Sequence, residues 1–305
     1  MRVYKDSLDA IGQTPMQILS KLSPNQGGTV WAKLEYMMPG SSVKDRIALY
    51  MVREAVEKGW LQEGGAIIEA TAGNTGVGLA VVASALGYRF LCIMPQKFSM
   101  EKQKLVEFLG GEVIRTPTED GMKGAIAKAH ELRDEMGNAW VAGQFENQTN
   151  PQCHYETTGP EIWEQTDGKI THFATGAGTG GTFTGVSRFL KEKNPDIKCY
   201  VVEPNGSILG GGEPGDHWVE GIGNTFFPET LDMSLSDGVI TVDDRYSKET
   251  VKALAKSEQI LAGGSSAANV YAAIQVAKDA KPGDVVVTLV CDRMERYISK
   301  GILDL

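Results

Sequence analysis

Lys44 lies in the segment PGSSVKDRIALY (residues 39–50), where a helix is expected to begin. The unpaired N–H groups of a helix start carry partial positive charge, so a carboxylate such as Asp45 suits that position and an ammonium does not. The misplacement is chemically useful. An amine attacks a carbonyl only when neutral, and a positive terminus with partial burial lowers a lysine pKa, by up to ~3–5 units in full burial. Asp45 offsets part of the terminus charge. Taken alone, Lys44 reads better as an exposed lysine at a frayed helix end, so its meaning depends on what surrounds it.

Three other segments supply hydrogen-bonding groups at strand-to-helix turns. In EATAGNTGVGLA (69–80) a buried strand ends at Ala70 and an apolar helix starts near Asn74, so the turn's backbone N–H groups converge where a carboxylate or phosphate binds. Thr71 as a simple helix cap is the alternative, although Thr71, Asn74 and Thr75 together exceed what a cap needs. In ATGAGTGGTFTGVSRFL (174–190) glycines permit close approach of a phosphate to the backbone, and the following helix adds its dipole. Gly176, Gly178 and Gly181 also satisfy G-x-G-x-x-G, with Glu203 placed to hold a ribose, which is the pattern of a nicotinamide-dependent oxidoreductase. A kinase-type P-loop is excluded because no G-K-[ST] follows. In LAGGSSAANVYAAIQVA (261–277), Gly263, Gly264, Ser265 and Ser266 read by themselves as a glycine helix end followed by a serine N-cap. A reactive lysine beside a phosphate cup without its own charged clamp points to a phosphorylated aldehyde cofactor, pyridoxal phosphate, held as a Schiff base. The oxidoreductase reading leaves Lys44, TAGNTG and AGGSS without a use.

The elements that must position these residues follow an α/β pattern of mostly parallel strands. Strands are expected at 65–70, 89–94, 111–116, 139–142, 171–176, 198–204 and 284–290. Between them lie helical patterns such as 120–136, where Met122, Ile126, Ala129 and Leu132 share one face. The polar stretch FENQTNPQCHYETTGPE (145–161) marks a boundary between two lobes, and the glycine-rich 205–224 reads as a functional loop. His154 in the polar stretch and Cys291 after the last strand are expected to be structural.

With 305 residues and a formal net charge of −9, the chain can bury a large core and is a poor partner for nucleic acid. Its four cysteines are widely spaced, without metal-ligand spacing, as expected of reduced thiols in the cytoplasm. No secretory signal and no uncharged apolar run of membrane-spanning length is found.

The ordered set PGSSVKDR, TAGNTG, QFENQTNP, TGAGTGGT, GIGNTFFP and AGGSS resembles the cysteine synthase and cystathionine β-synthase group of fold-type II pyridoxal phosphate enzymes, across nearly the whole chain. QKFSMEKQKLVEFLG (96–110), PTEDGMKGAIAKAHEL (117–132) and VEPNGSILGGGEPG (202–215) look most like its bacterial O-acetylserine-dependent branch. The resemblance implies a tryptophan synthase β-like fold with a smaller, mobile lobe of residues 36–146 (with 1–11) and a larger lobe of 147–305 (with 12–35). It implies that Lys44 forms the internal aldimine and moves protons, that Asn74 bonds the cofactor's ring oxygen, and that Gly178, Thr179, Gly180, Gly181 and Thr182 cradle its phosphate. Ser265 is then expected at the pyridine nitrogen, Thr71, Ala72, Thr75 and Gln144 at the substrate carboxylate, and Gly221 beside the substrate amino group.

Where relatives carry Ser, this chain has Ala72, which offers only its backbone N–H. Cystathionine synthases and cysteine lyases of the group usually have an acid at the second position after the GIG loop, where this chain has Asn224 and Thr225. That change favours acetate over hydroxide as the leaving group. Ser41 and Ala267 stand where glycine is common. The expected activity is β-replacement on O-acetyl-L-serine through an aminoacrylate, with sulfide giving cysteine first, homocysteine giving cystathionine second, and cysteine β-lysis releasing sulfide third. A homodimer is implied, and the end at Leu305 leads us to expect no regulatory extension.

Overall fold

The computed structural model describes residues 3–71, 73–95 and 100–305, and in it the apolar runs pair into two separate sheets. Strands β3 (Ala66–Ala70), β4 (Arg89–Pro95), β5 (Glu112–Thr116) and β6 (Ala139–Val141) are all parallel, in the order β5-β4-β3-β6. Strands β1 (Met16–Ile18), β2 (Thr29–Leu34), β7 (Ile170–Gly176), β8 (Lys198–Pro204), β9 (Gly238–Val242) and β10 (Val285–Val290) form the second sheet, ordered β1-β2-β10-β7-β8-β9. Only β1 runs antiparallel to its neighbour. The central strands β3 and β10 are buried along their whole length, which is why they read as apolar runs interrupted by only Glu69 and Thr288 instead of alternating ones.

All seven expected strands are present, with ends displaced by no more than a residue. Strands β1, β2 and β9 were not legible from pattern. β1 and β9 are short edge strands, and β2 carries Lys33, a charge that breaks the apolar signal yet is fully buried because its Nζ meets Glu161 at 2.8 Å. The helices are α1 (Lys44–Glu57), α2 (Asn74–Leu86), α3 (Met100–Phe108), α4 (Gly121–Met136), α5 (Thr149–Glu156), α6 (Thr158–Gln165), α7 (Gly181–Lys193), α8 (Asp244–Ala253) and α9 (Gly264–Asp279). Ile47, Met51, Val52 and Ala55 of α1 pack with Val77, Ala80 and Ala83 of α2 in one core, while Ala267, Val270 and Ala273 of α9 join Val286 and Val290 in another.

A buried ionic cluster fixes the start of α1. Arg46 grips Glu35 through Nε at 2.6 Å and Nη2 at 2.8 Å, and Glu161 at 2.7 Å, while Thr14 donates to Glu35 at 2.6 Å. A paired guanidinium fork satisfies both carboxylates, which keeps these charges from being an uncompensated burial cost. Burial alone would raise Glu161; Arg46 and Lys33 outweigh it and hold the carboxyl down at about 2. The first turn of α1 is thereby tied to β2 and α6.

Among the described residues no helix is long and apolar enough to cross a membrane, and no cluster of His, Cys, Asp and Glu could hold a metal ion.

Candidate active site

Helix α1 begins at Lys44, with Val43 as an N-cap that makes no side-chain cap bond. Burial lowers the Lys44 pKa, and the neighbouring Cys291 and Asp292 offset only part of that. Asp45 is also buried and accepts the Gly40 N–H at 2.5 Å. Burial pushes its carboxyl up to about 7, so it offsets less of the terminus charge at neutral pH than its sequence position promised. Ser41 takes φ +54°, a left-handed conformation uncommon outside glycine.

The remaining segments close a ring with the Lys44 segment. Thr75 Oγ1 donates to Gln144 Oε1 at 2.6 Å, which leaves the amide NH2 as the end that can meet an anion. Asn150 Nδ2 then bridges the Gln144 carbonyl, 2.8 Å, and Thr179 Oγ1, 2.9 Å. Gly178 lies so close to Gly221 that a β-carbon on it would collide with the Gly221 carbonyl, and a β-carbon on Gly221 would touch Ser265 Oγ at 3.9 Å. Ser266 Oγ accepts the N–H groups of Cys291 and Asp292 at 2.9 and 3.3 Å, and Asn74 Nδ2 donates to Asp292 Oδ2 at 2.6 Å, returning to the residue beside Thr75. The Val43 N–H donates to the Cys291 carbonyl at 2.9 Å and so fastens the Lys44 segment to the same ring.

Thr71 Oγ1 accepts the Gly73 N–H at 3.1 Å, so its hydroxyl closes the turn before α2. Gly180 has φ +81°, and a β-carbon on Gly181 would strike the Asn150 amide. Thr182 Oγ1 pairs with His154 Nε2 at 3.1 Å. His154, whose Nδ1 meets Thr158 Oγ1 at 2.9 Å, is buried, and desolvation with nearby Arg46 and Lys44 drives its pKa well below 6.5; it stays neutral. Ala72 lies outside the described residues, as do positions 96–99 of the segment 96–110.

One sequence expectation needs correction. Glu203 is not available to a ribose, because its buried carboxylate accepts the Leu209 and Gly210 N–H groups at 3.0 and 3.1 Å and the Thr241 hydroxyl at 3.1 Å. Asn224, which follows the GIG loop, serves the glycine turn after β7. It is buried, and its Nδ2 donates to the Gly178 carbonyl at 2.5 Å, bracing the glycine turn; Thr225 is exposed. Cys291 is half-buried against the apolar cluster that holds Leu289, and desolvation pushes its thiol up to about 12.

Asn150, Asp292, Arg296 and Tyr297 escaped the sequence reading. The last three follow the C-terminal end of β10, where open α/β sheets gather ligand-binding groups, and that rule was the one signal pointing to them.

The donor set fits pyridoxal phosphate. Among the described residues the N–H groups of Gly178, Thr179, Gly180, Thr182 and Phe183 find no acceptor, forming a cup at the α7 N-terminus for a phosphate. The Lys44 amine and the buried Ser265 hydroxyl have no hydrogen-bond partner there either, and Asn74 Nδ2 keeps one N–H to give. An aldehyde, a pyridine nitrogen and a ring oxygen call for these three.

Comparison with known proteins agrees with this fit. Residues 7–292 match the family "Pyridoxal-phosphate dependent enzyme". The chain is 47% identical over 304 residues to the O-acetylserine dependent cystathionine beta-synthase of Bacillus subtilis (strain 168), covering 100% of this chain and 99% of that protein. It is 45% identical over 291 residues to a cysteine synthase of Staphylococcus aureus (strain Mu50 / ATCC 700699), covering 95% and 94%. The crystal structure of an O-ureido-L-serine synthase superposes with a TM-score of 0.96 at 39% identity, covering 99% of this chain and 96% of that one. The ring around Lys44 is thus carried by a chain that belongs to the pyridoxal-phosphate-dependent enzymes, of the cysteine synthase type.

Proposed function

We propose that the protein catalyses β-replacement on O-acetyl-L-serine, with acetate leaving and a sulfur nucleophile adding at the β-carbon. Homocysteine, giving cystathionine, is placed ahead of sulfide, giving cysteine. The observation that carries this order is a cavity of about 580 Å³ beside Ser41, lined by Lys104, Arg293 and Arg296 together with Glu101 and Glu295. Arg293 and Glu295 pair with each other there, and a nucleophile that carries both a carboxylate and an ammonium can exchange with that pair, whereas sulfide has neither group. Arg296 also bonds Asn74, so the cavity and the cofactor residues share a wall. The identity with the Bacillus subtilis protein supports the same order.

Pyridoxal phosphate, when bound, withdraws electrons from the substrate α-carbon and so makes a β-substituent easier to expel. Lys44 would hold the cofactor aldehyde until the substrate amine takes its place, and the amine so freed, with its lowered pKa, carries the proton between the α-carbon and solvent. Residues 178–182 hold the phosphate, Asn74 the ring oxygen and Ser265 the pyridine nitrogen. The substrate carboxylate sits at the α2 N-terminus between Thr71, Thr75 and Gln144, with Gly221 beside its amino group; the sequence assigns Ala72 to the same carboxylate. The C–O bond to acetate breaks as acetate departs with the electron pair; the C–S bond forms and the thiol proton is taken up at the lysine amine.

Steady-state assays with O-acetylserine and either homocysteine or sulfide test the order. Homocysteine should show the higher kcat/KM, and Arg293→Ala should raise the KM for homocysteine while leaving sulfide within about twofold. A clear preference for sulfide, unmoved by Arg293→Ala, overturns it. The lobes at 36–146 (with 1–11) and 147–305 (with 12–35), closing on substrate, a homodimeric assembly and a cytoplasmic location complete the reading; small-angle scattering with and without O-acetylserine checks the closure and the assembly.

A further inference from the structure

Asn74 opens α2, on the side of the four-stranded sheet, but both ends of its side chain are held by residues that follow β10 of the six-stranded sheet. Its Nδ2 donates to Asp292 Oδ2 at 2.6 Å, and Arg296 Nη1 donates to its Oδ1 at 2.6 Å. An amide so held cannot turn over without setting donor against donor at Arg296 and acceptor against acceptor at Asp292. We propose that Asp292 and Arg296 are positioning residues for Asn74: they fix its amide so that the one N–H not given to Asp292 stays available to the cofactor's ring oxygen. This rests on the reading of Asn74 as a cofactor residue.

The holders are themselves held. Tyr297 Oη donates to Asp292 Oδ2, the Gly263 N–H donates to the Asp292 carbonyl at 3.1 Å, and Arg296 Nη2 donates to the Gly40 carbonyl, four residues before Lys44. Asp292 is fully buried and its Oδ1 has no hydrogen-bond partner, so its bonding rests on Oδ2 alone. An asparagine at 292 can keep an acceptor at Oδ2, whereas alanine cannot. That separates positioning by acceptance from a merely electrostatic role.

The test is a mutant cycle on purified holoenzyme, read by the visible absorption of bound cofactor and by its dissociation constant, neither of which requires turnover. Asn74→Ala and Asp292→Ala should each weaken cofactor retention about tenfold, the worth of one or two hydrogen bonds, and shift the absorption in the same direction. Asp292→Asn should stay within about twofold of the parent, and Asp292→Ala should add nothing in an Asn74→Ala background. Arg296→Lys, whose ammonium cannot span both Asn74 and Gly40, enters the same cycle in case Asp292→Ala does not fold, and is expected to behave like it. If Asp292→Ala or Arg296→Lys keeps its full effect without the Asn74 amide, the residue does not act through Asn74 and the inference fails while the cofactor role of Asn74 stands. If Asn74→Ala alone leaves both readouts unchanged, that role fails and the inference falls with it.

Discussion

The turns after β3 and β7 look alike in sequence, each a strand, a few small polar residues and a helix, yet the structure holds them differently. The β7–α7 turn is braced on all sides. Asn224 and Thr230 donate to the Gly178 and Thr179 carbonyls, Asn150 to the Thr179 hydroxyl, and the Gly176 N–H to Asn269. Among the described residues the β3–α2 turn has two local bonds, the Gly73 N–H to the Thr71 hydroxyl and the Gly76 N–H to the Gly73 carbonyl, and it is otherwise tied outward, through the Thr71 N–H to Ile93, through Thr75 to Gln144 and through Asn74 to Asp292 and Arg296. Identical local patterns therefore serve one turn that is a fixed cradle and one whose geometry depends on partners carried by other elements.

Lys44→Ala probes what the two turns share, and it should have the largest effect. Loss of a positioned proton-transfer group is expected to lower the β-replacement rate by ~10²–10⁴-fold, with the fold retained by circular dichroism. Turnover persisting near the parent rate would separate the two turns from any common reaction.

Glu69 sharpens the comparison through pH, because it accepts the Gly143 N–H at 2.8 Å and so anchors the Gln144 segment that joins the turns. Burial pushes its carboxyl from 4.5 up to about 7, against the hydrogen bonds from Gly143 and Gln144. The native state thus keeps a proton that the unfolded chain releases, so this group's stabilisation is complete below pH 4.5 and is lost as pH rises to about 7. The loss is on the order of 3 kcal/mol. Glu69→Gln should flatten that slope in chemical denaturation between those limits, and an unchanged slope assigns it elsewhere, Asp45 being the other buried carboxyl raised to about 7.

The glycines of the two turns give the smaller and most direct contrast. Gly178→Ala forces a methyl into the Gly221 carbonyl and should cost about 1–3 kcal/mol by denaturation, as overpacking does, and weaken cofactor binding. Gly73→Ala meets nothing closer than Thr71 Oγ1 at 3.9 Å and should cost under about 1 kcal/mol, the difference between glycine and alanine at an N-cap. Equal costs at the two positions would mean that the cradle is no more constrained than the outward-tied turn. Asn224→Asp places a carboxylate against the Gly178 carbonyl and should reduce cofactor retention by about tenfold or less without making serine a substrate, as scored by absorption and by cystathionine formation.

Sequence alone determined what local patterns can carry: strands from apolar runs, turns from glycine, threonine and asparagine, and Lys44 at a helix start. These follow from periodicity and from the charge of a helix terminus, which need no knowledge of distant contacts. Lys33 in β2 shows the limit, since a buried charge is credible only once Glu161 is seen beside it. The same limit hid Asn150, Asp292 and Arg296 and misjudged Glu203. Each of these is a generic polar residue in a loop, at a helix start or at a strand end, and its role is set by a partner far along the chain. Asp292 is 218 positions from Asn74, a separation at which only the packing of the two sheets brings donor to acceptor. Tertiary structure therefore decided which polar groups are already committed to each other and which, like the Ser265 hydroxyl and the amides of residues 178–180, are left for a ligand.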